Sequence, residues 1–315
     1  LVLTMGSALA EEQTDMTSVT VTKKYVLVGA GSSPAETFTL EQVGDGRVVE
    51  GEATSAPALG TITGASFDAG AATTDGATAN ITITLPAYER VGIYEYTLQE
   101  VAGSKAGVKY YGGTIKLVVT VISDTNRNIR VAAVHTESEG GVKSDTFTNT
   151  YSAGSLSISK EVTGNLGDKS KYFAFEVTLT GEEGKTYAEP FKVDGGSNES
   201  NPDSIAIGTS ETFYLKDGET ITIANLPYGV SYTVVETLDD AYDTYINGSE
   251  TASADGKAEG KVEAEETTVA YRNDNNNGEI DTGITTDNLP YIVLMGIVVL
   301  AGVAMIAKRR MAHND

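Results

Sequence analysis

Apolar and polar residues alternate one by one along most of the chain. Val19-Thr-Val21-Thr, Ile81-Thr-Ile83-Thr-Leu85, Leu156-Ser-Ile158-Ser and Ile221-Thr-Ile223 all follow a two-residue period, the spacing that sends apolar side chains to one face of a strand. Nothing between residues 11 and 282 sustains a helical period. Asp217-Gly218, set between Phe213-Tyr-Leu-Lys216 and Glu219-Thr-Ile-Thr-Ile223, predicts a hairpin. Short strands with no helices between them predict an all-β chain of antiparallel sandwiches.

The pattern also repeats. Val19-Thr-Val-Thr-Lys23 matches Leu156-Ser-Ile-Ser-Lys160, and Gly92-Ile-Tyr-Glu-Tyr-Thr-Leu-Gln-Glu100 matches Gly229-Val-Ser-Tyr-Thr-Val-Val-Glu236 apart from one residue of spacing. Thr146-Phe-Thr-Asn149 matches Ala270-Tyr-Arg-Asn273. The order Lys, Glu, Asn therefore recurs at a separation of about 130 residues, which predicts two tandem domains, 11–152 and 153–276, meeting near Ser152-Ala-Gly154.

Phase places these six residues. Val19, Val21 and Lys23 share a face, as do Leu156, Ile158 and Lys160. Tyr94, Tyr96, Leu98 and Glu100 are in phase, and so are Val230, Tyr232, Val234 and Glu236; Phe147 precedes Asn149, and Tyr271 precedes Asn273, by two. All six polar residues fall on core-facing sides, while Lys24 is out of phase and is expected to face solvent. Burying Lys, Glu and an amide is costly unless they are paired. A buried salt bridge with an Asn hydrogen bond is one account. The other is chemical: desolvation drives Lys and Glu towards their neutral forms. A neutral amine is then a nucleophile, the Asn amide an acyl electrophile, and a protonated Glu a proton carrier. The product is a Lys–Asn isopeptide bond with loss of ammonia.

Composition narrows the alternatives. Of 315 residues none is Cys, which excludes disulfides and thiol chemistry, and the two histidines, His135 and His313, leave no His-based metal cluster or catalytic triad. Neither a metal nor a cofactor is expected. Lys+Arg 22 against Asp+Glu 44 gives a net charge of −22, which excludes a nucleic-acid partner and suits a solvated, non-aggregating surface.

The ends speak of location. Residues 1–10 form an apolar run closing on Ala8-Leu9-Ala10, followed by Glu11-Glu12, and are expected to be the remnant of a signal peptide. Leu289 to Ala307 is an uncharged run of 19 residues, long enough to span a bilayer as a helix, and Lys308-Arg309-Arg310 follows it. Upstream stands Glu279-Ile280-Asp281-Thr282-Gly283, after an Asn-rich stretch, Asn273 to Gly278, read as a flexible linker. Thr-Gly, polar spacer, apolar span and basic tail together resemble the Gram-positive cell-wall sorting signal. That resemblance implies cleavage by a sortase between Thr282 and Gly283 and attachment to peptidoglycan, with residues 277–315 as the sorting region. Ile280-Asp281 replaces the usual Leu-Pro-x.

Val-Thr-Val-Thr-Lys23, Tyr-Thr-Leu-Gln-Glu100 and Thr-Phe-Thr-Asn149, with their second-half counterparts ending in Lys160, Glu236 and Asn273, resemble the streptococcal-type major pilin family with isopeptide-linkage domains. The resemblance covers nearly all of residues 18–310. It implies two tandem immunoglobulin-like β-sandwiches and a secreted, wall-anchored backbone subunit. It further implies spontaneous Lys23–Asn149 and Lys160–Asn273 bonds assisted by Glu100 and Glu236. Other pilin subunits are then partners in a covalent homopolymer. Lys143, shortly before the last strand of the first domain, is the candidate acceptor amine, with Lys105 and Lys109 as rivals. A wall-anchored adhesin or minor pilin binding a host surface ligand is the alternative reading. A glycan hydrolase using paired carboxylates fits poorly, because Glu100 and Glu236 lie on core-facing strands rather than in a cleft. Gly29-Ala-Gly31-Ser-Ser-Pro34 imitates a dinucleotide loop, but Pro ends it and no helix follows; it reads as a turn.

Overall fold

The computed structural model describes residues 15–276, and every regular element among them is a strand. The alternation is the local cause. Along Ser18–Gly29, the opening strand, Val21, Lys23 and Tyr25 are buried while Ser18 and Thr20 are exposed. The same in–out rhythm runs through Gly92–Glu100, Thr114–Ser123 and Phe173–Thr180.

A nine-stranded sheet extends through both repeats. Its key member is Thr146–Thr163, an 18-residue strand that crosses residues 152 and 153 without a break. Its first part pairs with the opening strand, Thr22 opposite Thr146 through Gly29 opposite Ala153. Its later part pairs with Glu266–Asp274, the closing strand, Ser155 opposite Glu266 through Thr163 opposite Asp274. One shared strand thus ends the first Lys–Glu–Asn series and begins the second. A six-stranded sheet containing Gly92–Glu100 faces the first part, and a four-stranded sheet containing Ser231–Glu236 faces the second.

Two apolar clusters fill the gaps. Val21, Tyr25, Ile81 and Ile83 meet Tyr94, Leu98, Leu117 and Val119 in one. Leu156, Ile158, Ile221 and Val269 meet Phe175, Val177, Phe213 and Val234 in the other. Each such side chain contributes about 1.5–3 kcal/mol on burial, and these clusters hold the facing sheets together.

Three expectations need correction. The sandwiches are not purely antiparallel: the shared strand runs parallel to both the opening and closing strands. Parallel neighbours need a long crossover, and here everything between first and last strand of a repeat supplies it. Asp217-Gly218 makes a tight turn, Glu219 N–H donating to the Lys216 carbonyl at 3.1 Å, but not a hairpin. Ser210–Leu215 pairs with Phe173–Thr180 in the four-stranded sheet, and Thr220–Pro227 pairs with the shared strand in the nine-stranded one. The Lys160 backbone takes the turn's hydrogen bonds, its carbonyl accepting from Gly218 and its N–H donating to Glu219 O, both at 2.9 Å. Finally, the supposed linker begins inside the closing strand, where Asn273 is fully buried.

The glycine loop after the opening strand is a turn with a second role. Gly31 has φ +142°, and a Cβ there would stand 2.2 Å from Asn225 Oδ1 of the second repeat. That oxygen accepts from Ser32 N–H at 2.8 Å and from the Tyr151 hydroxyl at 3.4 Å, with Asn225 held at φ +59°. Nearby, Thr186 N–H donates to Ser104 O at 2.8 Å and Ala106 N–H to Thr186 O at 2.9 Å.

Candidate functional site

Register decides which residues meet. Lys23 lies opposite Phe147 on the shared strand, so Asn149 is two residues further on the same face. Lys160 lies opposite Tyr271, with Asn273 again two further on. At ordinary strand spacing and rise the Cα atoms of such a diagonal pair are about 8 Å apart, a gap that a Lys stem reaching towards a short Asn side chain closes. Glu100 and Glu236 arrive from the facing sheets, at the ends of Gly92–Glu100 and Ser231–Glu236. The last core-facing position of each of those strands thus hangs over the Lys–Asn diagonal.

All six residues are buried: Lys23, Glu100 and Asn149 at 1%, 7% and 0% exposure, Lys160, Glu236 and Asn273 at 2%, 1% and 0%. Lys23 Nζ contacts Glu100 Oε2, while Asn149 Nδ2 donates to Glu100 Oε1 at 2.5 Å. In the second set Lys160 Nζ donates to Glu236 Oε1 at 2.9 Å, and Asn273 Nδ2 donates to that same oxygen. Asn149 Oδ1, Asn273 Oδ1 and Glu236 Oε2 are buried with no hydrogen-bond partner among the described residues. An unsatisfied buried acceptor costs about 1–3 kcal/mol, so neither set is a fully compensated structural ion pair.

Aromatic rings seal both sets. Lys23 Nζ lies 5.3 Å from the Phe38 ring centroid and 5.6 Å from that of Tyr111. Lys160 Nζ lies 4.1 Å from Phe173 and 5.6 Å from Phe175. Burial pushes the Lys23 amine below the usual lysine range against the opposing hydrogen bond and charge of Glu100. It brings Lys160 down to about 8, and raises Glu236 despite the neighbouring ammonium. In the second pair desolvation disfavours both charges, so proton transfer from ammonium to carboxylate costs less there than in water. The transfer leaves an unprotonated amine beside an amide carbonyl, the pairing that acyl transfer requires.

The aromatic wall was not legible in the sequence, because Phe38, Tyr111 and Phe173 come from segments that carry none of the repeated motifs. Lys24 is half-buried rather than solvated, its stem lying across Gly76 on the opposite face of the sheet. Lys143 is exposed on the short strand Val142–Lys143, opposite Glu137. Val19, Thr20, Val134, Thr136, Ser144 and Asp145 line a shallow groove beside it. Of its rivals, Lys105 is tied through its backbone to Thr186, and Lys109 is exposed and pairs with Thr150. Thr282, Gly283, the run 289–307 and the apolar segment 1–10 lie outside the described residues. Among the described residues no group of His, Asp and Glu is placed to hold a metal ion, and no helix is long and apolar enough to cross a membrane.

Fold and site together define an all-β structural protein whose interior carries two Lys–Glu–Asn sets in the same strand register. Comparison with known proteins agrees. Residues 19–152 match the family described as a Spy0128-like isopeptide containing domain, and residues 154–275 match one described as a domain of unknown function, DUF7601. The chain is 30% identical over 314 residues to a pilin of Streptococcus pyogenes serotype M1, covering 93% of this chain and 91% of that protein. It is also 36% identical over 132 residues to the pilus tip adhesin Cpa of Streptococcus pyogenes, covering 18% of that adhesin. Among solved structures, a major pilin from Streptococcus pyogenes superposes with a TM-score of 0.55 at 24% identity, covering 83% of this chain and 99% of that one. The T3.2 major pilin from the same species gives 0.52 at 20% identity, covering 84% and 99%. The chain belongs to this pilin family and is a structural pilin subunit.

Proposed function

We propose that this pilin is the backbone subunit of a surface pilus, and that each repeat is an immunoglobulin-like domain closed by its own isopeptide bond. The units are 11–152, linked Lys23–Asn149 with Glu100, and 153–276, linked Lys160–Asn273 with Glu236. One observation carries the reading: a buried carboxylate holds both the Lys amine and the Asn amide in each repeat. Glu takes a proton from the ammonium, and the Lys Nζ attacks the Asn Cγ. The carboxyl passes that proton to Nδ2 and takes a second from Nζ, the Cγ–Nδ2 bond breaks, and Nδ2 leaves as ammonia that carries the second proton away as ammonium, restoring the carboxylate. Glu acts here as a catalytic residue without being consumed. The link joins first strand to last, so tension crosses each domain without loading the sheets. Unlike a disulfide, it cannot be reduced.

Assembly follows from the ends. A sortase cleaves between Thr282 and Gly283 while the segment 289–307 holds the chain in the membrane. It then joins Thr282 to Lys143 of the next subunit, and at the base to peptidoglycan. Exposure of Lys143 beside a groove supports it over Lys105, whose backbone is engaged between the repeats. Similarity to the tip adhesin spans only 18% of that protein, which favours a shared module over an adhesin's role.

Intact mass tests the chemistry. The purified chain is expected to weigh two ammonias less than its sequence, with Glu100→Ala and Glu236→Ala each restoring one. A wild-type chain at full sequence mass refutes it.

A further inference from the structure

The two sites are not equivalent in how their carboxylates are held. Glu100 has donors on both oxygens: Lys23 on Oε2, and Asn149 together with the Tyr111 backbone N–H, at 3.3 Å, on Oε1. Glu236 has both of its side-chain donors on Oε1, and its Oε2 is buried with no partner. No backbone amide reaches it among the described residues. Hydrogen bonds to a carboxylate favour its charged form, and burial without them favours the neutral acid. Glu100 therefore has both oxygens engaged by donors, whereas Glu236 keeps one oxygen open to receive a proton, although the Lys and Asn of the two sites stand in the same register.

Taking the isopeptide reading as the reaction, we infer that the two bonds close in a fixed order, Lys160–Asn273 before Lys23–Asn149. The Tyr111 backbone amide is the positioning group that delays the first repeat. The Tyr111 amide acts through Glu100, while the ring seals Lys23 Nζ at 5.6 Å from its centroid. Its ring packs edge-on against Phe147, 5.1 Å between centroids, which fixes the amide over the carboxylate. The second repeat has Phe173 in the corresponding sealing role, on a strand whose own amides are taken up in pairing with Ser210–Leu215 and Ser231–Glu236. The lag also fits the shared strand. Asn149 and Lys160 lie on one 18-residue strand, so closing the second site first anchors that strand while the first site still awaits its proton transfer.

The test begins with the full chain recovered unfolded in urea, where distant Lys and Asn do not meet. After dilution into buffer, quenched samples are read by intact mass and by peptide mapping, which assigns each lost ammonia to its repeat. Circular dichroism followed in parallel sets the time from which both rates are taken. The second-repeat loss is expected to run on the order of tenfold faster than the first, the size of one charge-assisted hydrogen bond. Equal rates, or the first repeat leading, overturn the inference. No ammonia lost from either repeat overturns the isopeptide reading instead. Tyr111→Pro deletes the amide and is expected to speed the first repeat while leaving the second unchanged. A structural role alone would slow it. Tyr111→Phe keeps both the amide and the ring and is expected to keep the order. Should Tyr111→Pro fail to fold, the wild-type order still decides.

Discussion

Asn273→Ala removes the acceptor carbonyl of the second repeat and leaves Lys160 hydrogen-bonded to Glu236 at 2.9 Å. The proposed Lys160–Asn273 bond would close the chain from residue 160 to residue 273 into a loop spanning 113 residues. Opening a loop of that length returns chain entropy to the unfolded state worth about 5 kcal/mol. With about 2 cal/mol/K of unfolding entropy per residue, a repeat of this size is expected to lose on the order of 20 °C in Tm. Glu236→Ala breaks the same link and also strips Lys160, 2% exposed, of its acceptor. A buried ammonium left alone costs about 3–5 kcal/mol, less if it gives up its proton. The expected order of stability is wild type, then Asn273→Ala, then Glu236→Ala. Intact mass must show one retained ammonia in each variant, and thermal unfolding by circular dichroism reads the rest. An Asn273→Ala protein melting with wild type would refute the cross-link as a source of stability. Glu236→Ala melting above Asn273→Ala would refute the account of Lys160 as dependent on its carboxylate.

Further predictions address assembly, pH and the junction. Lys143→Ala is expected to abolish the detergent-resistant ladder of cell-wall extracts; a ladder that persists clears Lys143 of the acceptor role. In Asn273→Ala the Lys160 amine still titrates, with a folded value of about 8 against 10.5 when unfolded. The unfolded state then binds more protons between those values, so stability rises with pH across that window, by about 3 kcal/mol in total. The proposed isopeptide bond makes residue 160 of the wild type an amide, so this slope is expected to be absent there, while the buried tyrosines contribute alike to both chains. Urea midpoints measured between pH 7 and 10.5 compare the two. Gly31→Val would drive a Cβ into Asn225 Oδ1 from a φ of +142°. It is expected to destabilise by more than about 1 kcal/mol and to separate the melting of the two repeats in calorimetry; a single unshifted transition would show that this contact does not couple them.

Much of this protein is legible in its sequence because a strand's two-residue period is a local property. Val21 and Lys23 must share a face, and so must Leu98 and Glu100, whatever the strands later pair with. The repeat then brings Lys, Glu and Asn to notice, since six costly residues in the same order twice are not noise. Asp217-Gly218 shows the limit. Asp-Gly makes a tight turn there, but the hairpin its chemistry predicts does not form. Which strands pair was decided by the Lys160 backbone, which occupies the place a hairpin partner would need.

The sequence by itself determined the strands, their buried faces and the identity of the residues kept from water. Only the tertiary structure decided that opening and closing strands run parallel to one shared strand. It alone set the two-residue diagonal between Lys and Asn, and, among the described residues, brought Tyr111 N–H to one glutamate and no backbone amide to the other. The physical reason is range. Facing is set by neighbours along the chain, whereas register, parallel pairing and the donors around a carboxylate depend on segments tens of residues apart that meet only in the packed core.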